Sequence, residues 1–402
     1  MPDEIITNAP GLSREALLRV LSSAAFLVFF QSYLIAPLVP TLAAEFHAPV
    51  DVVGLLVPAY LLPYGLSTLF YGPLSDRLGR KPVVLCLLAI TVVTTAGVGT
   101  AHSIHALLLW RVLGGLATGG VIPIGLALLG DIFPYRERGR PIGWMFGAMA
   151  GGMAFGSTLG ALLNPLIGWR AEFFITALLA MITLAFAYRF RGSMESPASP
   201  HRLHPAEIAK GYFELFRNPR AARGYAFIFF NGLFHSGIFS WLGLYFYQRY
   251  RLGDVGIGLA LIGYGLPGML LGPMIGKLAD RIGRRRLIPA GILVAAACSA
   301  LLIPKFPVLV AALAITVLSL GYDMSHPLLA GIITSVNPNR RGLAMGMNAF
   351  VLFSGFGSGT LLFSVLMKHG MNVALLAFTC FEALIGVAAV RLFSEEKSTE
   401  AR

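Results

Sequence analysis

The chain has 402 residues, 56% of them hydrophobic and only 12% charged, and its mean hydropathy is +0.74. That balance excludes a soluble globular protein, and the length of its apolar runs excludes the ~10-residue strands of a membrane barrel. The formal net charge of +12 does not point to nucleic acid, because the basic residues are dispersed over many loops instead of one patch; anionic lipid headgroups are the natural counter-charge.

Crossing a bilayer takes ~20 mostly apolar residues per helix. Apolar runs between charged breaks predict helices at 19–44, 52–72, 82–101, 104–131, 140–164 and 169–189, then at 223–248, 255–277, 287–304, 307–335, 342–367 and 372–393. Three units follow: a bundle over 1–190, a linker over 191–222, and a second bundle over 223–402. The first run is too long for a signal-peptide core, so no cleaved leader is expected. With both termini in the cytoplasm, 25 of the 31 Lys and Arg fall on that side, five lie outside and Arg111 lies within a helix. Positive charge accumulates on cytoplasmic loops, so this orientation is the expected one.

Taken in order, the first helix carries Gln31, Tyr33, Pro37 and Pro40, and the second Pro58, Tyr60, Pro63 and Tyr64. Prolines in a membrane helix are tolerated where neighbours or cavity water satisfy the freed carbonyls. A polar stretch follows, Gly72-Pro-Leu-Ser-Asp76-Arg77-Leu-Gly79-Arg80-Lys81. It returns 204 residues later as Gly276-Lys-Leu-Ala-Asp280-Arg281-Ile-Gly283-Arg284-Arg285, and Tyr60 and Pro63 return at the same offset as Tyr264 and Pro267. The chain is a duplicated unit. Gly72 and Gly276 are expected to permit close helix contact, Gly79 and Gly283 to adopt turn angles closed to other residues, and Asp76 to accept from free N–H groups at a neighbouring helix start.

The fourth helix opens with Arg111 and closes with Asp131. A charge this deep costs several kcal/mol unless paired or hydrated, so Arg111 binds substrate, meets a protonatable partner or braces the bundle. The fifth helix carries Gly143, Gly147, Gly151, Gly152, Gly156 and Gly160, a spacing that suits a close crossing. In the linker, Pro205 opens a short helix with Ile208, Tyr212, Phe213, Leu215 and Phe216 on one side, expected to lie on the membrane surface. The three cysteines, Cys86, Cys298 and Cys380, fall in apolar runs without metal-type spacing and are expected to be small buried packing residues.

The seventh helix carries Asn231, His235 and Trp241, the eighth Tyr264, the tenth Asp323 and His326, and the twelfth Glu382. His235 is the duplication partner of Gln31, and Asp323 and His326 share one face of their helix. An intramembrane carboxylate is a functional candidate, because desolvation disfavours its charge and lets it take up and release a proton. Asp323 is the first candidate, tuned by His326 or His235, with Glu382 as its rival. Asp323, His326 and His235 are also acceptable metal ligands, though their spacing lacks a clustered signature.

G-x-x-x-D-R-x-G-R-[KR] between the second and third helices resembles the signature loop of the major facilitator superfamily, and nearly the whole chain fits that pattern. The segment from Arg111 to Gly115 resembles the family's R-x-x-x-G element. Gly156-Ser157-Thr-Leu-Gly160 resembles its antiporter-associated G-P-x-x-G, with Ser157 where proline is expected. The resemblance implies an all-α membrane protein of twelve transmembrane helices, arranged as two pseudo-symmetric six-helix bundles. Its cavity would be lined by the first, fourth, seventh and tenth helices. It implies a monomeric transporter in the cell's inner membrane, driven by the proton gradient without a cofactor. It also implies a conformational latch built from Gly72, Asp76, Arg77, Gly79, Arg80 and Asp131, with Asp280, Arg281 and Arg284 in the second half. There Ser335 stands where Asp131 would recur, so the second latch is expected to be incomplete. The stretch from Pro37 through Tyr60 and Tyr64 to the loop is closer to drug:proton antiporters and arabinose-efflux-like exporters than to sugar symporters.

The expected function is proton-coupled antiport of small organic molecules or drugs, with substrate contacts from Gln31, Tyr33, Tyr60, Tyr64, Arg111, Asn231, Trp241 and Tyr264. The alternative is transport of a polar metabolite, sugar or organic anion anchored on Arg111, with a metal ion or lipid further behind. No nucleophile–base pair or metal cluster suggests an enzyme.

Overall fold

The computed structural model describes residues 11–133, 137, 139–194, 205–336 and 341–396, and all its regular structure is helical. Among the described residues ten stretches are long and apolar enough to cross a membrane: Arg14–Glu45, Val50–Leu78, Arg80–Gly99, Ile104–Ile132, Arg140–Arg189, Pro219–Tyr250, Asp254–Leu271, Val308–Val336, Leu343–Met367 and Met371–Leu392. Arg140–Arg189 is two spans joined at Gly168, whose φ of 78° breaks the helix, and the shorter Arg284–Ala300 lies between the eighth and tenth. Counted in chain order these are the first to the twelfth span.

The breaks within spans follow from proline and glycine. The first span runs as Gly11–Leu34, tightens to a 3-10 turn at Ala36–Leu38 around Pro37, and resumes as Val39–Glu45. The second is interrupted between Val50–Gly54 and Pro58–Leu78, and the fourth between Ile104–Thr118 and Val121–Ile132. The seventh breaks before Trp241, and the eighth at Gly265 with φ 80°. The tenth stays one helix, Val308–Val336, with Pro327 inside it, which removes the partner of the Asp323 carbonyl one turn back.

Within each half the spans pack with their neighbours, and the halves join chiefly through the second with the eleventh and the fifth with the eighth, with the first also meeting the seventh and eighth and the fourth the eleventh. Glycines bring the helices together. Added side chains at Gly152, Gly156 and Gly160 would sit 2.4, 2.4 and 2.6 Å from backbone oxygens of Phe26, Phe30 and Leu34, so the fifth span crosses the first almost backbone to backbone.

The molecule has a basic face, carrying both signature loops, the linker and the C-terminal segment, and an opposite face poor in basic residues. The halves are closed together at the basic-poor face. A Cβ on Gly54 would fall 2.0 Å from the Trp241 ring, and one on Gly243 would fall 2.7 Å from Pro37. Asp254, opening the eighth span, accepts from Thr41 at 3.1 Å and Asn164 at 2.7 Å, and Lys368 lies 3.6 Å from Asp51. Toward the basic face the seams part. Past Thr68 with Gly346 and Gly151 with Met269, the sites at Gly72, Gly143, Gly147 and Gly276 meet nothing within 4 Å.

Two expectations are corrected here, on the loop glycines and on the cysteines, and a third is sharpened. Gly72 and Gly276 do not mediate close helix contact, because they lie where the halves diverge. Cys298 is buried as expected, whereas Cys86 and Cys380 point outward. The linker helix Pro205–Phe216 is docked onto protein on one side: Leu215 is buried, and the Tyr212 hydroxyl donates to the Leu69 carbonyl at 3.1 Å, leaving Phe213 and Phe216 exposed. The reason lies in the second span, where Pro73 has no N–H to offer that carbonyl. Burial pushes the Tyr212 hydroxyl up to about 12, so it stays a donor at neutral pH.

Candidate functional site

Arg111 is 1% exposed and donates in three directions: Nε to Leu56 O, Nη1 to Gln31 O and Nη2 to Ser32 O, each at 3.0 Å. Those carbonyls end the first helix and border the gap in the second span, so they have no full set of intrahelical partners. The guanidinium also sits 4.4 Å above the Tyr60 ring. This arrangement is that of a brace, one of the roles open to Arg111: a planar fork caps two broken helices, and a cation suits a helix C-terminus.

The rest of the first half's polar centre is also paired. Gln31 Oε1 accepts from Thr95 at 2.6 Å, and Tyr60 shares a 2.6 Å hydrogen bond with Thr118. Tyr64 packs on Phe353 of the eleventh span with ring centroids 4.1 Å apart. Tyr33 differs: its ring meets Phe239 edge-on at 5.0 Å across the halves, and its buried hydroxyl has no partner.

Facing this, the second half presents an aromatic wall with free polar atoms. The His235 ring stacks on Tyr322 at 3.9 Å, and Tyr322 lies parallel to His326 at 5.3 Å. Tyr264 packs on Phe239 at 4.1 Å, and its hydroxyl reaches the His235 ring nitrogens at 3.0 and 3.1 Å, in the place that Tyr60 and Gln31 hold in the first half. Asn231 donates to Ser325 at 2.6 Å, tying the seventh span to the tenth. Asp323 lies against Gly268 of the eighth span, where its carboxylate atoms are 2.6 Å from the site of a Cβ. Only glycine leaves room for that carboxylate. Asp323 Oδ2 and His326 Nδ1 are buried without a partner. The structure thus brings together Tyr33, His235, Tyr264, Asp323 and His326. Among the described residues no group of three or more His, Cys, Asp or Glu side chains is arranged to hold a metal ion.

Other candidates lie elsewhere. Trp241 belongs to the closed seam on the basic-poor face, where its indole donates to the Thr360 carbonyl at 3.2 Å. Glu382, the rival carboxylate on the twelfth span, is fully buried, and among the described residues neither of its oxygens has a partner. On the basic face Arg80 ion-pairs with Asp131, and Asp76 lies 3.6 Å from Arg80. That contact, not a neighbouring helix start, is the partner found for Asp76. Gly79 and Gly283 have φ of 86° and 87°, angles that suit glycine. Arg77 and Arg281 are exposed, Arg284 reaches toward Gly331, and the Asp280 side chain lies outside the described residues.

Sequence reasoning missed Tyr322, Phe239 and Gly268. Tyr322 adjoins Asp323 and was readable as its neighbour; the other two are ordinary residues of apolar runs until the spans are packed.

The family model described as Major Facilitator Superfamily matches residues 21–257 and 253–402. The chain is 30% identical to the uncharacterized MFS-type transporter YceJ of Bacillus subtilis, over 94% of this chain and 96% of that one. It is 22% identical to Multidrug resistance protein 2 of the same species, over 95% and 96%. Its fold matches the crystal structure of a bacterial homolog of the human lysosomal transporter Spinster, in an inward-facing and unoccupied conformation, with a TM-score of 0.79 at 16% identity, covering 97% and 99%. The chain belongs to the major facilitator superfamily and is a membrane transporter, not an enzyme.

Proposed function

We propose that this transporter exports small, largely aromatic organic molecules in exchange for protons, with Asp323 as the proton carrier. The observation that carries the reading is the contrast at the centre. Asp323 is lodged against Gly268 with an unpaired oxygen, beside an aromatic wall, while Arg111 is spent on three backbone carbonyls. A buried carboxylate with no fixed cation can be discharged by a proton or by a cationic group on the substrate, but not readily by both. Competition of that kind is what antiport requires. The similarity to Multidrug resistance protein 2 supports efflux of drug-like compounds. The alternative of an organic anion held by Arg111 loses support, because Arg111 is buried and each of its three nitrogens already donates to a backbone carbonyl.

By the distribution of basic residues, the basic face lies in the cytoplasm of a cell membrane. The parted seams then correspond to a state open to the cytoplasm, in which Asp323 releases its proton and substrate enters. Rocking of the halves would separate the seam at Gly54 and Trp241, exposing Asp323 to the outer pool, where a proton displaces the substrate. The chain acts as a monomer, each copy enclosing its own central site.

The test is flux in proteoliposomes over a panel of aromatic cations, organic anions and sugars, with and without an imposed pH gradient. Aromatic cations should be accumulated only with the gradient. Asp323→Asn, which mimics a permanently protonated aspartate, should abolish uphill transport and leave the protein folded. If Asp323→Asn keeps full uphill transport while Glu382→Gln loses it, the proton has been assigned to the wrong helix.

A further inference from the structure

The second signature loop lacks the acidic residue that the first one uses. Arg80 pairs with Asp131 of the fourth span, whereas Arg284 faces the tenth span at Gly331, its guanidinium 3.6 to 4.0 Å from the site of a Cβ there, with Ser335 one turn further on. Close by, the segment after the twelfth span folds back over the basic face. Phe393 is fully buried and meets Phe227 of the seventh span edge-on at 4.9 Å. Glu396, 6% exposed, accepts from Arg220 Nε and Nη2 at 2.7 Å each and lies 3.5 Å from Arg223. Its backbone carbonyl accepts from the N–H of Arg285 at 2.9 Å, inside the second loop.

We propose that Glu396 supplies the missing acidic half of the second latch, so that the C-terminal segment anchors the second signature loop to the start of the seventh span. A bidentate Arg–carboxylate pair in a nearly buried setting is among the stronger surface interactions. Hydrogen bonds from Arg220 hold the Glu396 carboxyl below the usual carboxylate range, and Arg223 and Arg284 add to that, so the group is charged at neutral pH. The anchor differs from the first in what it leaves free. Asp131 ties its loop to the fourth span; Glu396 ties its loop to the seventh, and among the described residues no carboxylate joins it to the tenth, the span that carries Asp323. The second half can therefore hold its loop still while the tenth span moves.

The experiment is hydrogen–deuterium exchange, followed by mass spectrometry, on the full-length protein in lipid nanodiscs. Glu396→Gln should speed exchange of the amides of 284–287 and 393–396 about tenfold and leave the first loop, 79–83, unchanged. Adding Ser335→Asp gives Arg284 a carboxylate at the position equivalent to Asp131. The double variant should slow 284–287 again while 393–396 stays fast, which a merely structural role for Glu396 would not produce. Unchanged exchange in Glu396→Gln overturns the proposal. So does equal acceleration of both loops, which marks general loosening, or a failure of Ser335→Asp to slow the second loop.

Discussion

The two halves repeat one pattern, but they use polarity in opposite ways. At the centre of the first half Arg111 pairs with three carbonyls, Gln31 with Thr95 and Tyr60 with Thr118, and the Tyr33 hydroxyl has no partner among the described residues; away from that centre, both oxygens of the buried Glu172 in the sixth span also lack one. In the second half Asp323, His326 and Glu382 keep buried atoms without partners. The duplication makes the divergence explicit, since at the 204-residue offset Arg111 corresponds to Ile315, Asp323 to Gly119, His326 to Ile122 and Glu382 to Leu178. A fully satisfied network stiffens what it joins, and an unsatisfied one stores chemistry. At the centre the first half is the frame, and the second carries the groups to which the proposed function assigns the change of state.

The comparison breaks most easily at Arg111. Arg111→Met strands three buried carbonyls, and at ~1–3 kcal/mol for each unsatisfied group the loss is several kcal/mol. Thermal unfolding of the purified variant should show it, and Arg111→Lys should recover little, because an ammonium cannot reproduce the planar fork. A variant that melts normally but no longer binds substrate would return Arg111 to the transport site. Next in size is Gly54→Ala. Its methyl collides with the Trp241 indole across the halves, and overpacking of this kind costs ~1–3 kcal/mol. Because separating the halves relieves the clash, the population should move toward opening at the basic-poor face. Spin-label distances across that face should lengthen, and an unchanged distribution would mean that the helices absorb the methyl locally.

Two smaller effects sharpen the comparison. Glu382→Gln keeps the shape of a neutral acid, so stability should change by less than ~1 kcal/mol and pH-driven accumulation should persist. A loss of coupling would show the second half to use two carboxylates. Asp76→Asn removes an exposed contact worth ~1 kcal/mol or less, enough to shift a two-state balance several-fold. Its readout is the distance between the basic-face ends of the second and eighth spans, and an unaltered distribution would exclude Asp76 from the latch.

Much of this was legible in the chain. Spans, duplication and a glycine-lined crossing face on the fifth span follow from hydropathy and residue size, which act locally and periodically; that its partner is the first span came from the fold. The Asp323–His326 pair could be found because charge in an apolar run is rare. What the sequence withheld depends on which carbonyls the prolines release and which distant side chain answers. Arg111 answers for the first and second spans, Tyr212 for Leu69, and no periodicity announces either. Glu396 was hidden for a similar reason, since a glutamate in a polar tail carries no mark of the loop it meets.

Gly168 has a mechanical consequence. It alone joins the fifth and sixth spans, at φ 78° and ψ 148°. Gly79 between the second and third spans and Gly283 between the eighth and ninth are joints of the same kind, and a one-residue joint acts as a rigid elbow whose angle is set by two torsions. When the fifth span swings against the eighth, the sixth must be dragged along as the other arm of a lever. Force applied at the central seam is thereby delivered to the outer rim of the first bundle, and any residue bulkier than glycine at the elbow would bend the lever before it moves.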